Sequence, residues 1–146
     1  MKDRSEIAVD KFLSGYNCAQ AVLYSYCEDF HFDKDTALKL ACGFGAGMGR
    51  RQEVCGAVSG GIIVIGLKYG RGLADERPAT ERSYRLTREL MERFEREHGS
   101  CICRKLLDDI DLMTEEGQRY LKDNDIINKT CKHCVRSVVR ILDDIL

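Results

Sequence analysis

The sequence predicts an all-α protein, a single-domain bundle of about five to seven helices with a buried, glycine-rich central helix. Apolar residues recur at helical spacing along almost the whole chain, and no run alternates convincingly with the period of a strand. Only one proline occurs in 146 residues, so little interrupts the helices. No internal repeat or linker divides the chain, and we therefore expect one helical, cysteine-rich domain over residues 1–146.

In the first third of the chain, apolar stripes follow residues that can cap helices. We expect a first helix over residues 5–14 and a second from residue 18, directly after the capping residue Asn17, to about residue 30. Asp33 or Asp35 is suited to cap a third helix, which ends in the glycine run of residues 43–49.

The central helix is expected over residues 54–69, where the chain is apolar nearly all round. Residues 62–65 also suit a strand, but the rest of the sequence offers no partner strand. Gly56, Gly60 and Gly61 allow another helix to approach closely. That helix belongs to the same chain or to a second copy, so a homodimer is one expectation.

The remaining helices follow in the second half of the chain. A long helix is predicted over residues 78–98, with Gly99 as its stop. Shorter helical segments are expected over residues 101–108 and 114–122. The last helix, over residues 131–146, carries a clear apolar stripe.

Composition excludes several classes of function. The chain has 23 basic and 24 acidic residues, and a net charge of -1 offers no electrostatic footprint for nucleic acid. The longest nearly apolar stretch, residues 57–67, is too short to cross a bilayer, so no membrane insertion is expected. The N-terminal residues contain no secretory apolar region, and a cytoplasmic location is the default expectation.

The eight cysteines need a chemical explanation in such a chain. In a reducing compartment, clustered cysteines bind metal or take part in catalysis more often than they form disulfides. We expect Cys27 to be a small buried hydrophobic residue. Cys42, at the edge of the glycine run, is either buried at a helix end or an accessory redox thiol or ligand.

The other cysteines mark predicted helix starts. Cys18, Cys101 and Cys131 each follow a residue that can cap a helix, and Cys55 opens the central helix without one. A helix N-terminus presents unpaired amides and a partial positive charge, which lower the pKa of a thiol held there. We therefore expect these helix ends to converge on one pocket lined with sulfur.

Four thiolates suffice for a [2Fe–2S] cluster, a [4Fe–4S] cluster or a tetrahedral structural zinc ion. Two cysteines separated by one residue diverge on a helix, so at most one of Cys101 and Cys103 reaches a shared site. Two cysteines three residues apart face the same way. The candidates from the residues alone are Cys18, Cys55, Cys101 or Cys103, and Cys131 or Cys134.

Two other cofactors are not favoured. Haem c attachment needs Cys-x-x-Cys-His, and Val135 follows Cys134. The glycine run of residues 43–49 follows a helix and lacks the lysine of a phosphate loop, so it does not predict a nucleotide site. We expect instead that its amides crowd around sulfur. His133, between two cysteines, is expected to be exposed on its helix.

The chain resembles a family of redox-active proteins named for its cysteine pattern, C_GCAxxG_C_C. The central motif of that family is matched by residues 55–60, Cys-Gly-Ala-Val-Ser-Gly. The resemblance also matches residues 15–22 around a preceding cysteine and residues 103–107 around a following one. A similar domain accompanies the haems of split-Soret cytochromes, where four cysteines are associated with an iron–sulfur centre. The resemblance implies a small helical protein with the cluster ligands Cys18, Cys55, Cys103 and Cys131.

The leading hypothesis is a protein that binds an iron–sulfur cluster, with [2Fe–2S] as the first choice, for electron transfer or redox sensing. Such a protein needs an electron-transfer protein as its partner. The second hypothesis is a thiol–disulfide oxidoreductase that uses Cys55 as nucleophile and Cys18 or Cys103 as resolving thiol. The third is an interaction module with structural zinc, and the last is a protein with inert cysteines and no cofactor.

Overall fold

The computed structural model describes residues 2–146, and in that part of the chain it contains eight helices and no β-strand. The all-α prediction is therefore confirmed, and the helix count is slightly above the predicted five to seven because the short segments at residues 103–106 and 115–123 are both helices. The helices are α1 (Arg4–Leu13), α2 (Cys18–Tyr24), α3 (Lys34–Ala41), α4 (Gly56–Tyr69), α5 (Arg77–His98), α6 (Cys103–Leu106), α7 (Glu115–Asp123) and α8 (Lys132–Ile145).

Local signals in the sequence account for most helix ends. The carboxylate of Asp33 accepts a hydrogen bond from the Thr36 amide at 2.8 Å, so Asp33 is the cap of α3. Thr114 caps α7 in the same way. Gly99 ends α5 in the left-handed region, at φ 89°, where glycine has no steric cost.

Helix α4 is the buried centre of the bundle, as predicted, and packs against α2, α5 and α8. Its glycines make this packing close. A Cβ atom on Gly61 would lie 2.9 Å from both Leu90 and Val138, which belong to α5 and α8. A Cβ atom on Gly60 would lie 2.7 Å from the carbonyl oxygen of Ala19 in α2. Gly60 and Gly61 therefore serve contacts within this chain.

The hydrophobic core surrounds α4. Large side chains from four helices are fully buried around it, which removes their apolar surface from water and supplies the main stabilising contribution. They include Leu23, Ile65, Leu90, Phe94, Val135, Val138 and Leu142. The first turns of α2, α4 and α6 lie at one side of this core, together with the N-terminal part of α8.

Candidate cysteine site

Cys18 is the first residue of α2, and a reciprocal capping box fixes the start of that helix. The side chain of Asn17 accepts a hydrogen bond from the Gln20 amide at 3.0 Å, and the Asn17 amide donates to the Gln20 side chain at 3.0 Å. The Asn17 side chain also donates to the carbonyl of Cys42 at 2.9 Å. The start of α2 is therefore tied to the end of α3, and Cys18 has a defined position.

Cys55 immediately precedes α4 and is itself the N-cap residue of that helix. No side-chain hydrogen bond caps α4, which agrees with the absence of a capping residue in the sequence. The amides of Ala57 and Val58, in the first turn of α4, lower the pKa of the Cys55 thiol.

Two glycines of the Cys55–Gly60 motif explain how Cys18 comes close to the start of α4. A Cβ atom on Gly56 would lie 3.3 Å from the Cβ of Cys18 and 3.1 Å from the carbonyl oxygen of Phe44. Gly60, one turn later, meets α2 at Ala19. Because both glycines lie on the same face of α4, they let α2 pack closely and bring Cys18 beside Cys55.

Cys103 is held opposite Cys55 by an antiparallel pairing of two extended segments. The amide of Cys55 donates to the carbonyl of Cys101 at 2.7 Å, and the amide of Cys103 donates to the carbonyl of Glu53 at 2.7 Å. An isolated bridge between Val54 and Ile102 lies between them. Alternate residues of an extended segment share a face, but the extended segment ends where α6 begins at Cys103, and only Cys103 of the two lines the cavity of the site. The thiol of Cys101 donates instead to the carbonyl of Met91 at 3.3 Å.

The loop that supports Cys103 has an uncommon left-handed backbone. The non-glycine residues Ala46, Met48, Arg50 and Gln52 have φ angles of 53°, 69°, 70° and 59°. Each such residue costs about 1–2 kcal/mol, so other contacts must hold the loop in place. Gly47, also left-handed at 66°, packs so closely that an added Cβ would lie 2.8 Å from the Cβ of Cys103.

Gln52 is the main anchor of this loop and is 2% exposed. Its side-chain nitrogen donates to the carbonyl of Ile110 at 2.6 Å, and its side-chain oxygen accepts from the Leu112 amide at 2.9 Å. Its backbone carbonyl accepts from the Arg104 amide at 3.1 Å. These bonds connect the left-handed loop to the chain that follows Cys103, and so they offset the strain of the loop.

Cys131 and Cys134 approach the site from the last helix. A π-helical turn, Ile127–Cys131, leads directly into α8, so Cys131 lies within a continuous helical segment. The prediction that Cys131 begins a helix is therefore wrong. The predicted start at Cys101 is also wrong, because Cys101 lies in the extended segment and α6 begins at Cys103.

Five thiols line one cavity of about 520 Å³. They come from α2, the residue before α4, α6, the turn that leads into α8, and α8 itself. The cavity wall is otherwise mainly apolar, with Arg50 and Lys122 as its charged residues. Its lining residues are Phe12, Gly15, Tyr16, Asn17, Cys18, Ala46, Arg50, Cys55, Gly56, Cys103, Leu106, Leu107, Leu112, Gln118, Leu121, Lys122, Ile127, Thr130, Cys131 and Cys134.

A second cavity of about 430 Å³ adjoins the first and leads toward the surface. The two share part of their walls, including Phe12, Tyr16, Leu121 and Lys122. Tyr16 is 39% exposed, so the shared wall reaches solvent.

The pKa values of the site thiols diverge. The pKa of Cys55 is lowered, first by the hydrogen bond that the Cys134 thiol donates to its sulfur and further by the amides of Ala57 and Val58, although burial opposes these effects. The pKa of Cys134 is raised for the complementary reason, because its proton is held by that bond. Cys55 is thus the first site thiol to ionise.

Burial raises the pKa of the other three thiols. It is the main cause of the increase at Cys18, where the charges of neighbouring site thiols add to it. It raises the pKa of Cys103 to about 12, with a further contribution from Cys55. It also raises the pKa of Cys131 to about 12, again helped by Cys55 and then by Cys103. Once Cys55 is charged, each further thiolate is harder to form without a cation.

The structure thus brings together Cys18, Cys55, Cys103 and Cys131, and it adds Cys134 to the same cavity. It leaves Cys101 outside. Spacing in the sequence could not distinguish Cys131 from Cys134, and both reach the cavity. The cationic wall residues Arg50 and Lys122 were missed, because nothing in their local sequence sets them apart from other surface lysines and arginines.

Cys27, Cys42 and His133 do not line the cavity. Cys27 is buried, as predicted, and 2% exposed. Cys42 is exposed and does not line the cavity, so the expectation of a buried helix-end residue is wrong. His133 is exposed, as predicted. Within the 43–49 run, the hydrogen-bonded amides donate to backbone carbonyls. The amides that lower the pKa of the Cys55 thiol belong to α4 instead.

Two further observations concern residues 2–146. No three histidine, cysteine or acidic side chains in that range are arranged to hold a metal ion as they stand. No helix in it combines the length and the apolar character that a membrane crossing requires.

Fold and site together define a small all-α protein with a cavity walled by thiols. Residues 16–145 match the model of a family described as "Putative redox-active protein (C_GCAxxG_C_C)". Because this match covers most of the sequence, the chain belongs to that family of redox-active proteins. Comparisons with curated proteins and with solved structures found no match.

Proposed function

We propose that this protein binds an iron–sulfur cluster, with [2Fe–2S] as the first choice, and uses it for electron transfer or redox sensing. Cys18, Cys55, Cys103 and Cys131 would be the ligands. The single observation that carries the proposal is the convergence of thiols from separate parts of the chain on one cavity. The proposed setting is the cytoplasm, where thiols remain reduced.

The donor set of the cavity fits such a cluster. Thiolates are the usual ligands of [2Fe–2S] and [4Fe–4S] clusters, and no imidazole or carboxylate is among the residues that line the wall. A cavity of about 520 Å³ has the size of a binding site for a group larger than a single ion. When bound, the cluster would supply an acceptor and donor for single electrons.

The protein's own residues would set the conditions for this chemistry. The amides of Ala57 and Val58, in the first turn of α4, lower the pKa of Cys55, and donors near ligand sulfur stabilise the more negative, reduced state of a cluster. Arg50 and Lys122 place positive charge at the cavity and act in the same direction. The apolar wall limits access of water. An electron-transfer protein would dock where the cavity approaches the surface, near Tyr16.

Reconstitution with iron and sulfide under anaerobic conditions tests the proposal. We expect a brown protein whose visible absorption is bleached by dithionite. Serine variants of Cys18, Cys55, Cys103 and Cys131 should each lose this absorption, whereas C27S is the matched control that keeps it. A colourless wild-type protein without bound iron would contradict the proposal.

The choice between Cys131 and Cys134 needs its own comparison, because both line the cavity. The family resemblance favours Cys131 as the ligand. We therefore expect C131S to lose iron and C134S to keep it. The opposite result would transfer the fourth ligand position to Cys134. Zinc in the purified protein, with no visible absorption, would favour the structural zinc hypothesis.

One observation favours thiol–disulfide exchange as a second candidate function. The pKa of Cys55 is lowered by the neighbouring Cys134 thiol and by two amides in the first turn of α4, although burial opposes them, so its thiolate form is stabilised. The sequence hypothesis gives Cys18 or Cys103 as the resolving partner. Rapid alkylation of Cys55 in the metal-free protein at pH 6 would support this function, and uniformly slow alkylation of all site thiols would count against it.

A further inference from the structure

Four arginines line a shallow groove on the exposed face of α5. The groove has a volume of about 680 Å³ and is lined by Arg77, Pro78, Glu81, Arg82, Arg85 and Arg88. Its wall carries four positive charges and one negative charge. Arg77 lies in the first turn of α5, where the helix dipole disfavours a positive charge, and no acidic residue lies in that turn. The stability of the helix therefore does not explain this set of residues.

Three of the four arginines are not neutralised by the chain itself. Glu81 pairs with Arg77 at 3.4 Å. Within residues 2–146, Arg82, Arg85 and Arg88 have no carboxylate at ion-pair distance. A guanidinium presents its N–H groups in a fork that fits a carboxylate. The groove therefore suits an acidic partner.

Arg82 is held in place for such a contact. Its guanidinium lies over the ring of Tyr69, 3.6 Å from the ring centroid. The hydroxyl of Tyr69 in turn donates to the carbonyl of Leu146 at 3.1 Å. Stacking restricts the guanidinium but leaves the N–H groups at its edge open to an anion. Less side-chain entropy is therefore lost when an anion binds there.

The same chain carries an acidic surface, residues 108–116. This segment contains five carboxylates and no basic residue. Arg104 pairs with Asp111 at 3.5 Å, and Lys105 pairs with Asp109 at 3.9 Å. The other three carboxylates are exposed, and none of them has a cation at ion-pair distance in the part of the chain that the structure describes. The segment thus keeps a surplus of negative charge beyond its own ion pairs.

The two surfaces lie at opposite ends of α4. Gln52, just before that helix, holds the acidic segment through the Ile110 carbonyl at 2.6 Å and the Leu112 amide at 2.9 Å. Arg82 lies over Tyr69, the last residue of α4. The 14 residues of α4 span about 21 Å. The groove and the acidic segment are therefore separated in one molecule and meet only between two.

Apolar side chains accompany the charges on both surfaces. Met113, in the acidic segment, is 66% exposed. Tyr84 is 56% exposed and lies one turn from both Glu81 and Arg88 on the same face of α5. Burial of such side chains adds to affinity, whereas the charges mainly select the partner and its orientation.

We propose that the groove on α5 binds residues 108–116 of a second copy of this chain. Each copy contributes two different surfaces, so the contact is head-to-tail and builds a ring or a chain of copies. Leu112 of the acidic segment also lines the thiol cavity, so a bound copy covers the outer side of that wall. This contact goes beyond the proposed function, because neither surface includes a thiol.

Sedimentation equilibrium measures the association on the protein as purified. A reducing buffer keeps the exposed Cys42 from forming cross-links. At low salt, we expect the mean mass to rise above the 16.6 kDa of one chain as the concentration increases. At high salt, which screens the charges, the mass should return to that of one chain.

The variant R85Q/R88Q neutralises half of the arginines of the groove. It should weaken association roughly tenfold, because two charge pairs are lost. The matched control, R96Q/R140Q, removes two exposed arginines from a different groove and should associate like the unchanged protein. Because all four side chains are exposed, we expect both variants to keep the fold, which urea unfolding checks.

The variant D108N/E116Q neutralises part of the other surface and should weaken association to a similar extent. Its groove is intact, and the acidic segment of R85Q/R88Q is intact. At a concentration where each variant alone is monomeric, an equimolar mixture should therefore form pairs of about twice the 16.6 kDa of one chain. Larger species should be absent, because the two surfaces left over are both neutralised.

Head-to-tail binding is overturned if the unchanged protein is monomeric at low salt at every concentration, which would leave the groove to an acidic segment of another protein. It is also overturned if R96Q/R140Q weakens association as much as R85Q/R88Q does. A mixture of the two surface variants that stays monomeric overturns the pairing of these surfaces. Because mass is the only readout, the outcome does not depend on whether a cluster binds.

Discussion

Adding one methyl group at Gly47 tests most directly how closely this loop packs against the cavity. Its φ of +66° is left-handed, and a Cβ would lie 2.6 Å from the Gln52 Cα, 2.7 Å from the Glu53 nitrogen and 2.8 Å from the Cys103 Cβ. Two of these atoms belong to the backbone and cannot rotate away. We expect Gly47→Ala to lower the free energy of unfolding by about 2–4 kcal/mol, from left-handed strain and overpacking together.

Substitutions at two neighbouring glycines distinguish the cost of left-handed strain from the cost of overpacking. Gly49 is left-handed at +61° but has open space around it, so Gly49→Ala should cost about 1 kcal/mol. Gly43 has open space and no left-handed backbone, so Gly43→Ala should be neutral or slightly stabilising. Urea unfolding of the reduced, metal-free variants measures all three. An equal loss for Gly47→Ala and Gly49→Ala would refute the close packing of Gly47 on Cys103.

Three other predictions concern the supports and the thiols. Replacing Gln52 with leucine should cost about 2–4 kcal/mol in urea unfolding, because two buried backbone groups lose their hydrogen-bond partner, and a loss below about 1 kcal/mol would contradict this role. Asn17→Ala and the matched cap variant Asp33→Ala should each cost about 1 kcal/mol, but only the former should change alkylation rates of the site thiols in mass spectrometry. Burial raises the pKa of Cys101 to about 11, so the folded state keeps this proton more tightly than the unfolded chain. Stability should therefore fall as pH rises from about 9 toward 11, and C101A should show a shallower fall in urea unfolding.

Helix α5 shows which features the sequence could predict. Proline near its start and Gly99 at its end mark both boundaries by local backbone chemistry, and the structure places the helix at Arg77–His98. The buried, glycine-rich α4 was predictable for a similar reason, since apolar residues all round a helix leave no face for water. Such signals act within a few residues and do not depend on the rest of the fold.

The start of α8 shows where the local signal fails. Thr130 has the chemistry of a helix cap, but a π-helical turn from Ile127 continues directly into α8, so no new helix start forms there. The thiol of Cys131 is therefore not at a free helix end, and burial raises its pKa to about 12. A capping signal predicts a helix start only where the preceding residues are not already helical.

The left-handed loop of residues 46–52 lay outside sequence reasoning altogether. Non-glycine residues rarely take this conformation, and Ala46 and Met48 take it because distant hydrogen bonds through Gln52 hold the loop. Likewise, the distinction between Cys101 and Cys103 depends on an extended pairing with the segment before α4. Both features depend on contacts between segments far apart in the sequence.

Iron and acid-labile sulfide in protein purified without oxygen test the central claim most directly. We expect brown protein with about two irons and two sulfides per chain, as a [2Fe–2S] cluster requires, and absorption that dithionite bleaches. Colourless protein that contains no iron, before and after reconstitution, would contradict the claim that these thiols hold a cluster.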